Sequence, residues 1–351
     1  MQIDILIIGQ GISGTFLSWY LQQEGFSFLV IDQPQSNTAS KVAAGVINPV
    51  TGRRIVKTWM IDEVLPFALN AYQQLGESIG VEGIWQKNVI DFFPTPQMKV
   101  SFDKRFEEDQ QYLARPTDEN SFRPWFNYDF GYGEIQPAYL VNLPGILPAY
   151  RQQLVSNNQL REEWFDHEQL QVSNHNIQYK DITATYILFA DGINAASSPY
   201  FSNLPFAPNK GEAIWLEIPG LPDTHVFKRG FSLIPWSKDI FWLGSTYLWE
   251  FENTDPTPGF RQFAETWLKQ TIKLPWKVLD HKAAVRPATL ERRPFVGFHP
   301  VHQQVGIFNG MGTKGCSLGP FFAQQLAKHL RHGSGITTEA DVQRFKRVLS
   351  R

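Results

Sequence analysis

One cysteine, Cys316, excludes an internal disulfide, so packing and hydrogen bonds must hold this chain together in a compartment expected to be reducing. No apolar run approaches the ~20 residues that a membrane-spanning helix needs. Neither sign of charge dominates. Lys and Arg number 32 and Asp and Glu 34, a formal charge of −2, which removes any broad attraction for nucleic acid or an anionic membrane. Eight histidines are scattered without a metal-ligand spacing such as HExxH, and none occurs before His167. No basic region precedes the N-terminal apolar run, which reads as a first strand and not a signal peptide. Repeats and low-complexity segments are absent as well. These absences predict a soluble, cytoplasmic protein with no metal site and no membrane or nucleic-acid partner.

What is present is a chain of 351 residues with 42% hydrophobic content, enough for a sizeable core and for two domains or one large interleaved pair. Its most informative segment is Ile3-Asp4-Ile5-Leu6-Ile7-Ile8-Gly9-Gln10-Gly11-Ile12-Ser13-Gly14. The apolar run is a strand, Thr15 to Glu24 a helix stopped at Gly25, and Ser27 to Ile31 a second strand ending at Asp32. This is the βαβ dinucleotide fingerprint in its required context. Gly9 makes the tight turn, Gly11 lets backbone approach a pyrophosphate, and Gly14 lets the helix sit close to the strand. The helix N-terminus favours the phosphates, and Asp32 accepts from a ribose diol. The ligand implied is an ADP-containing cofactor.

Farther along, Gln33 to Ser40 is a polar loop, and small residues follow in Lys41-Val42-Ala43-Ala44-Gly45. Asn48 to Arg54 forms an irregular turn, and Thr58 to Ile79 has helical spacing. Trp85 to Phe93 and Trp125 to Ile135 look β-prone and aromatic, on either side of a charged stretch near Phe102 to Tyr112. Ala138 to Leu154 reads as a helix, and Tyr186 to Gly192 as a buried strand with a glycine turn. Short strands alternate with turns from Glu212 to Gly244. A helix spans Gly259 to Thr271, and a strand, Val305 to Gly310, leads through a glycine-rich turn into a helix ending near Leu330.

Five segments together resemble the D-amino-acid oxidase superfamily of FAD enzymes, in particular its glycine oxidase and monomeric sarcosine oxidase branch. They are the fingerprint with Asp32; Ser40 to Gly45; Phe189-Ala190-Asp191-Gly192; Arg286-Pro287-Ala288-Thr289 continuing to Arg293-Pro294-Phe295-Val296-Gly297; and Asn309-Gly310-Met311-Gly312-Thr313-Lys314-Gly315. The oxidase half of the bifunctional tRNA wobble-uridine modification enzyme is another similar relative. The resemblance implies an α/β fold in which a Rossmann-like FAD-binding domain (1–80, 137–210 and 286–351) interleaves with an antiparallel-sheet substrate domain (81–136 and 211–285).

Within that resemblance, Ser40, Ala43, Ala44 and Gly45 allow backbone to lie flat on a planar ring, and Ala190 and Gly192 close the second turn. Gly310, Gly312, Thr313, Lys314 and Gly315 bring backbone donors and a helix N-terminus to the flavin's pyrimidine edge. Cys316, inside that turn, reads as a small buried residue. Lys314 and Arg286 fall where relatives bind a substrate carboxylate, and Arg54 with Lys57 matches a basic pair near the flavin. Tyr247 is a further pocket candidate, whereas Arg53 and Arg293 read as solvated or structural. Trp242 takes the place of a lysine that assists oxygen in sarcosine oxidase. The tethering cysteine of that enzyme falls at Arg286, and no histidine is available on the N-terminal loop, so FAD is expected to be non-covalent. The implied activity is oxidation of the C–N bond of a small amine or amino acid by hydride transfer to flavin N5. A tRNA side-chain oxidase, a flavin dehydrogenase with a non-oxygen acceptor and a non-catalytic FAD-binding protein are the alternatives.

Overall fold

The structure, a computed structural model, describes residues 1–350 and contains two eight-stranded sheets. The first has a parallel centre: Leu160–Arg161, Phe28–Ile31, Gln2–Ile8, Ile182–Phe189 and Val305–Asn309 lie side by side. Three antiparallel strands, Leu170–Val172, Ile177–Tyr179 and Phe295–Phe298, complete it. A strand has period two, so Gln2–Ile8 feeds two cores. Ile5 and Ile7 enter the cluster under the helices Ile12–Gln23, Ile61–Ile79, Leu143–Ser156 and Gly315–His332, while Leu6 and Ile8 pack on the opposite face.

The second sheet runs Lys277–Arg286, Asn209–Glu217, Ile240–Gly244, Phe231–Ser237, Val226–Arg229, Val89–Phe92, Tyr132–Ile135 and Leu113–Ala114. Its neighbours are antiparallel except Val226–Arg229 beside Val89–Phe92. One face buries Phe92, Phe126, Tyr128 and Phe227 with helix Pro258–Thr271. The other carries Gly211, Ser232, Trp242, Gly244 and Arg286, which border a large cleft. No helix among the described residues is long and apolar enough to cross a membrane.

Several local expectations shift. The helix expected over 138–154 begins only at Leu143, because Asn142 Oδ1 accepts from Gly145 N at 3.1 Å and Pro144 occupies the first turn. The preceding Tyr139–Val141 is instead a strand between Ile84–Gln86 and Val46–Ile47. The charged stretch belongs to a helix, Pro96–Glu108, capped by Thr95. Only Met98 and Phe102 of that helix are buried, too few to leave a visible apolar period. Between 125 and 135 only Tyr132–Ile135 is strand, since Phe126 and Tyr128 spend their rings in an aromatic knot around Phe92. Trp85 and Ile90 lie in separate sheets.

Candidate active site

A cleft of about 1230 Å³ runs from the ends of the parallel strands to the open face of the second sheet. At one end, Gly9 turns with φ +99°, and a Cβ there would stand 2.7 Å from the carbonyl oxygen of Ala190. At Gly14 a Cβ would lie 1.9 Å from Gly9 O, so the first helix reaches the strand only through glycine. Neither the Ile12–Gln23 helix nor the Gly315–His332 helix has a side-chain cap from its own N-cap residue, and both begin at the cleft. Ser40 Oγ accepts from Ile12 N at 3.0 Å, and Thr15 N reaches Gly11 O. The N–H groups between them are orphan donors suited to a phosphate.

Asp32 is held rather than free. Its Oδ1 accepts from Gln10 N at 2.9 Å and its Oδ2 from Arg151 Nη1 at 2.6 Å. Arg151 uses every N–H it has, with Gln10 Oε1, Asp32 O and Glu162 Oε1 as its other acceptors. Nothing at sequence level pointed to Arg151, which arrives from the Leu143–Ser156 helix. Asp191 borders the cleft near Asn309 Nδ2 (3.4 Å), and burial pushes its carboxyl up to about 7.

In the middle, Ala43, Ala44 and Gly45 line the wall, as do Ala190, Gly192, Gly312, Thr313 and Gly315. Gly45 has φ +87°, and a Cβ would meet Val141 O at 2.4 Å. Trp242, buried in the facing sheet, donates its indole N–H to Val42 O at 2.9 Å and so pins this small-residue segment. Gly310 does not border the cleft. Its N–H is spent on Asn309 Oδ1 (2.8 Å), and its Cα packs where a Cβ would strike Thr289. Cys316 lines the cleft as well, and burial raises its thiol to about 12, so it is no thiolate.

At the far end, Arg286 crosses Gly211, where a Cβ would sit 1.9 Å from Nη2. Its Nη1 donates to Asn209 Oδ1 (2.6 Å) and Thr246 O (3.2 Å), and its Nη2 to Ser245 Oγ (2.6 Å). The guanidinium stacks 4.7 Å from the exposed Tyr247 ring. Of five N–H donors, Nε–H and the second on Nη2 have no partner among the described residues. Burial lowers the Arg286 pKa. Lys314, the half-buried N-cap of the last long helix, also borders the cleft, and burial pushes its ammonium down to about 8.

Arg54 is not part of this arrangement. It lies exposed on the Val50–Lys57 hairpin, where Ile55 turns inward at φ +50° and its carbonyl accepts from Arg105 Nε at 3.1 Å. That inward turn leaves Arg53 and Arg54 in solvent. Lys57 is engaged by Asp109 at 3.0 Å and Asp62 at 3.8 Å. Arg293 stacks 4.2 Å above Trp59, a structural contact.

Glycine-built turns, orphan helix donors and a fixed acid fit a dinucleotide, and their family is shown by sequence. The family model described as FAD dependent oxidoreductase, DAO, matches residues 4–329. The chain belongs to this family. FAD is therefore its cofactor, and the chain is an FAD-dependent oxidoreductase. Its fold is similar to solved structures at low identity. Glycine oxidase from Geobacillus kaustophilus superposes with TM-score 0.78 and 18% identity, covering 96% of each chain. Iminodiacetate oxidase from Chelativorans sp. BNC1 gives 0.76 and 19%, covering 95% of this chain and 97% of the other. L-proline dehydrogenase from P. horikoshii gives 0.76 and 15%, covering 99% and 98%.

Proposed function

We propose that this family member oxidises the C–N bond of a small amine or amino acid whose carboxylate is held by Arg286. The observation that carries the reading is the half-spent guanidinium: three N–H groups fix it over Gly211, and two remain for a ligand in the cleft. A planar fork of this kind pairs with a carboxylate through two parallel hydrogen bonds. Lys314 adds a second cation, and Tyr247 keeps the guanidinium plane oriented. Glycine oxidase and iminodiacetate oxidase, two similar folds, are named for substrates that are amines with carboxylates.

Gly9, Gly11, Ser40 and the orphan donors of the first helix would hold the pyrophosphate, and Asp32 the ribose. Ala43, Ala44, Gly45, Ala190, Gly192, Gly312, Thr313 and Gly315 would flank the ring, with Gly14 and Gly310 acting through packing. Bound non-covalently, FAD supplies the two-electron acceptor. The chain supplies orientation, charge and exclusion of water. The cofactor unit would comprise 1–80, 137–210 and 286–351, and the substrate unit 81–136 and 211–285. The lone cysteine supports a cytoplasmic setting.

Trp242 favours a carrier over oxygen as electron acceptor, because a neutral indole bonded to backbone falls where the resemblance to sarcosine oxidase implies a lysine that assists oxygen. Titrating the FAD-loaded protein with acetate while recording the flavin spectrum tests the anion site. Arg286→Ala should weaken acetate binding tenfold to a hundredfold, about 1.5–3 kcal/mol for a charged hydrogen-bond partner. A spectrum indifferent to acetate would leave the amino-acid reading without support.

A further inference from the structure

The open face of the second sheet carries another cation that the fingerprint and the family motifs leave aside. Lys228 borders the cleft, with its side chain 21% exposed, and its Nζ donates to Asp91 Oδ2 at 2.6 Å. Asp91 itself is 1% exposed. The anion of the pair is thus turned into the protein and the cation toward the cleft. An ammonium has three N–H groups, so two remain after Asp91. Buried ion pairs are weak stabilisers against apolar alternatives of similar volume, and stability alone does not account for this one.

Between Lys228 and Arg286 the floor is made of small residues and the Trp242 ring that lies against Gly244. Ala213, Gly244, Ser232 and Lys228 form one cross-strand row, and Gly211 lies two residues from Ala213. At about 4.8 Å per strand and 3.4 Å per residue, Gly211, over which the Arg286 guanidinium lies, and the Lys228 backbone stand on the order of 15 Å apart. The row's own side chains between the cations are no larger than serine, and the Trp242 ring lies against Gly244 within it. Among the described residues the only carboxylate bordering this end is Glu212, which is 0% exposed and is bonded to Thr257 and His281. Arg286, Lys314 and Lys228 therefore face a chamber that offers no accessible anion of its own.

We propose that Lys228, positioned by Asp91, is a second anion-recognition point, and that the substrate is an elongated amine or amino acid with an anionic group at each end. One group meets Arg286, the oxidised C–N bond lies between, and the other group meets Lys228 and the Ser232 hydroxyl. The proposal rests on the reading of Arg286 as a carboxylate anchor.

The test uses the FAD-loaded protein and flavin spectral titration with straight-chain α,ω-dicarboxylates of increasing length. Monocarboxylates of equal length control for apolar contact, and ω-phosphono carboxylates distinguish a distal phosphate from a distal carboxylate. Once the chain is long enough to span both cations, the dianion should bind at least ~10-fold more tightly than its monoanionic partner. The double variant Asp91→Asn/Lys228→Met, which leaves no unpaired buried charge, should abolish that preference while monocarboxylate affinity stays put. Lys228→Arg, with Asp91 intact, should retain it. Equal affinities for the two series at every length overturn the proposal, and the wild-type series decides the matter even should the variants not fold. If no carboxylate of either kind perturbs the flavin, the anchor at Arg286 fails first and this inference falls with it.

Discussion

The two ends of the cleft are built by different means. The nucleotide end is made of backbone: Gly9 and Gly14 interlock, two helix N-termini point into space, and one acid is clamped. The substrate end is made of side chains that hang from one sheet face, where Gly211 and Gly244 leave room for Arg286 and Trp242 to lie flat. A backbone site tolerates almost no change, because its atoms cannot move without moving whole elements. A side-chain site can be retuned one residue at a time.

The sharpest way to break the comparison is Gly14→Ala. The added methyl meets Gly9 O at 1.9 Å, backbone against backbone, so the helix must leave the strand. We expect a loss of at least about 2–3 kcal/mol of stability, typical of severe overpacking, together with loss of FAD. Chemical denaturation of the protein, with and without added FAD, reads both. A variant that folds and binds FAD normally would show that the contact is relieved by a small shift, and the contrast between the two ends would weaken.

A smaller effect is expected at Arg151→Gln. Arg151 touches Asp32 through Nη1 and Nη2 and ties it to Glu162, so its loss should let the acid rotate away from the ribose. FAD affinity, read by flavin fluorescence quenching, should fall tenfold to a hundredfold, comparable with Asp32→Ala. FMN, which lacks the ADP half, serves as the control and should not distinguish Arg151→Gln from wild type. If FAD binds the variant as tightly as wild type, Gln10 N alone orients Asp32.

The contrast also explains what could be read from the chain. Glycine at positive φ or in close approach is a local demand, so Gly9, Gly14 and Gly45 announce their backbone wherever the fold places them. Arg151 and Lys228 carry no such mark. Arg151 meets Asp32, and Lys228 meets the cleft, only because a helix or strand far away in sequence docks there, and an isolated basic residue looks the same on any surface. Arg54 shows the converse. Its position in a motif suggested the pocket, but the inward turn of Ile55 sends it to solvent. The helix at Pro96–Glu108 was hidden for a related reason, since two buried side chains make no stripe.

The mildest effect, and the one that best separates the cations of the substrate end, is the pH dependence of Lys314. Burial alone lowers its pKa from 10.5 to about 8. Between those values the unfolded chain binds more protons than the folded one, so this group's contribution to stability rises with pH across the window. Its effect on anion binding has the opposite sign, because the charge that attracts a carboxylate disappears above about 8. Acetate affinity should be level below that pH, weaken by up to about tenfold as pH rises beyond it, and then flatten because Arg286 remains charged. Lys314→Met should begin at the weakened value and show no step. A wild-type profile without a step would mean that Lys314 does not meet the carboxylate, and the anchor would then be Arg286 alone.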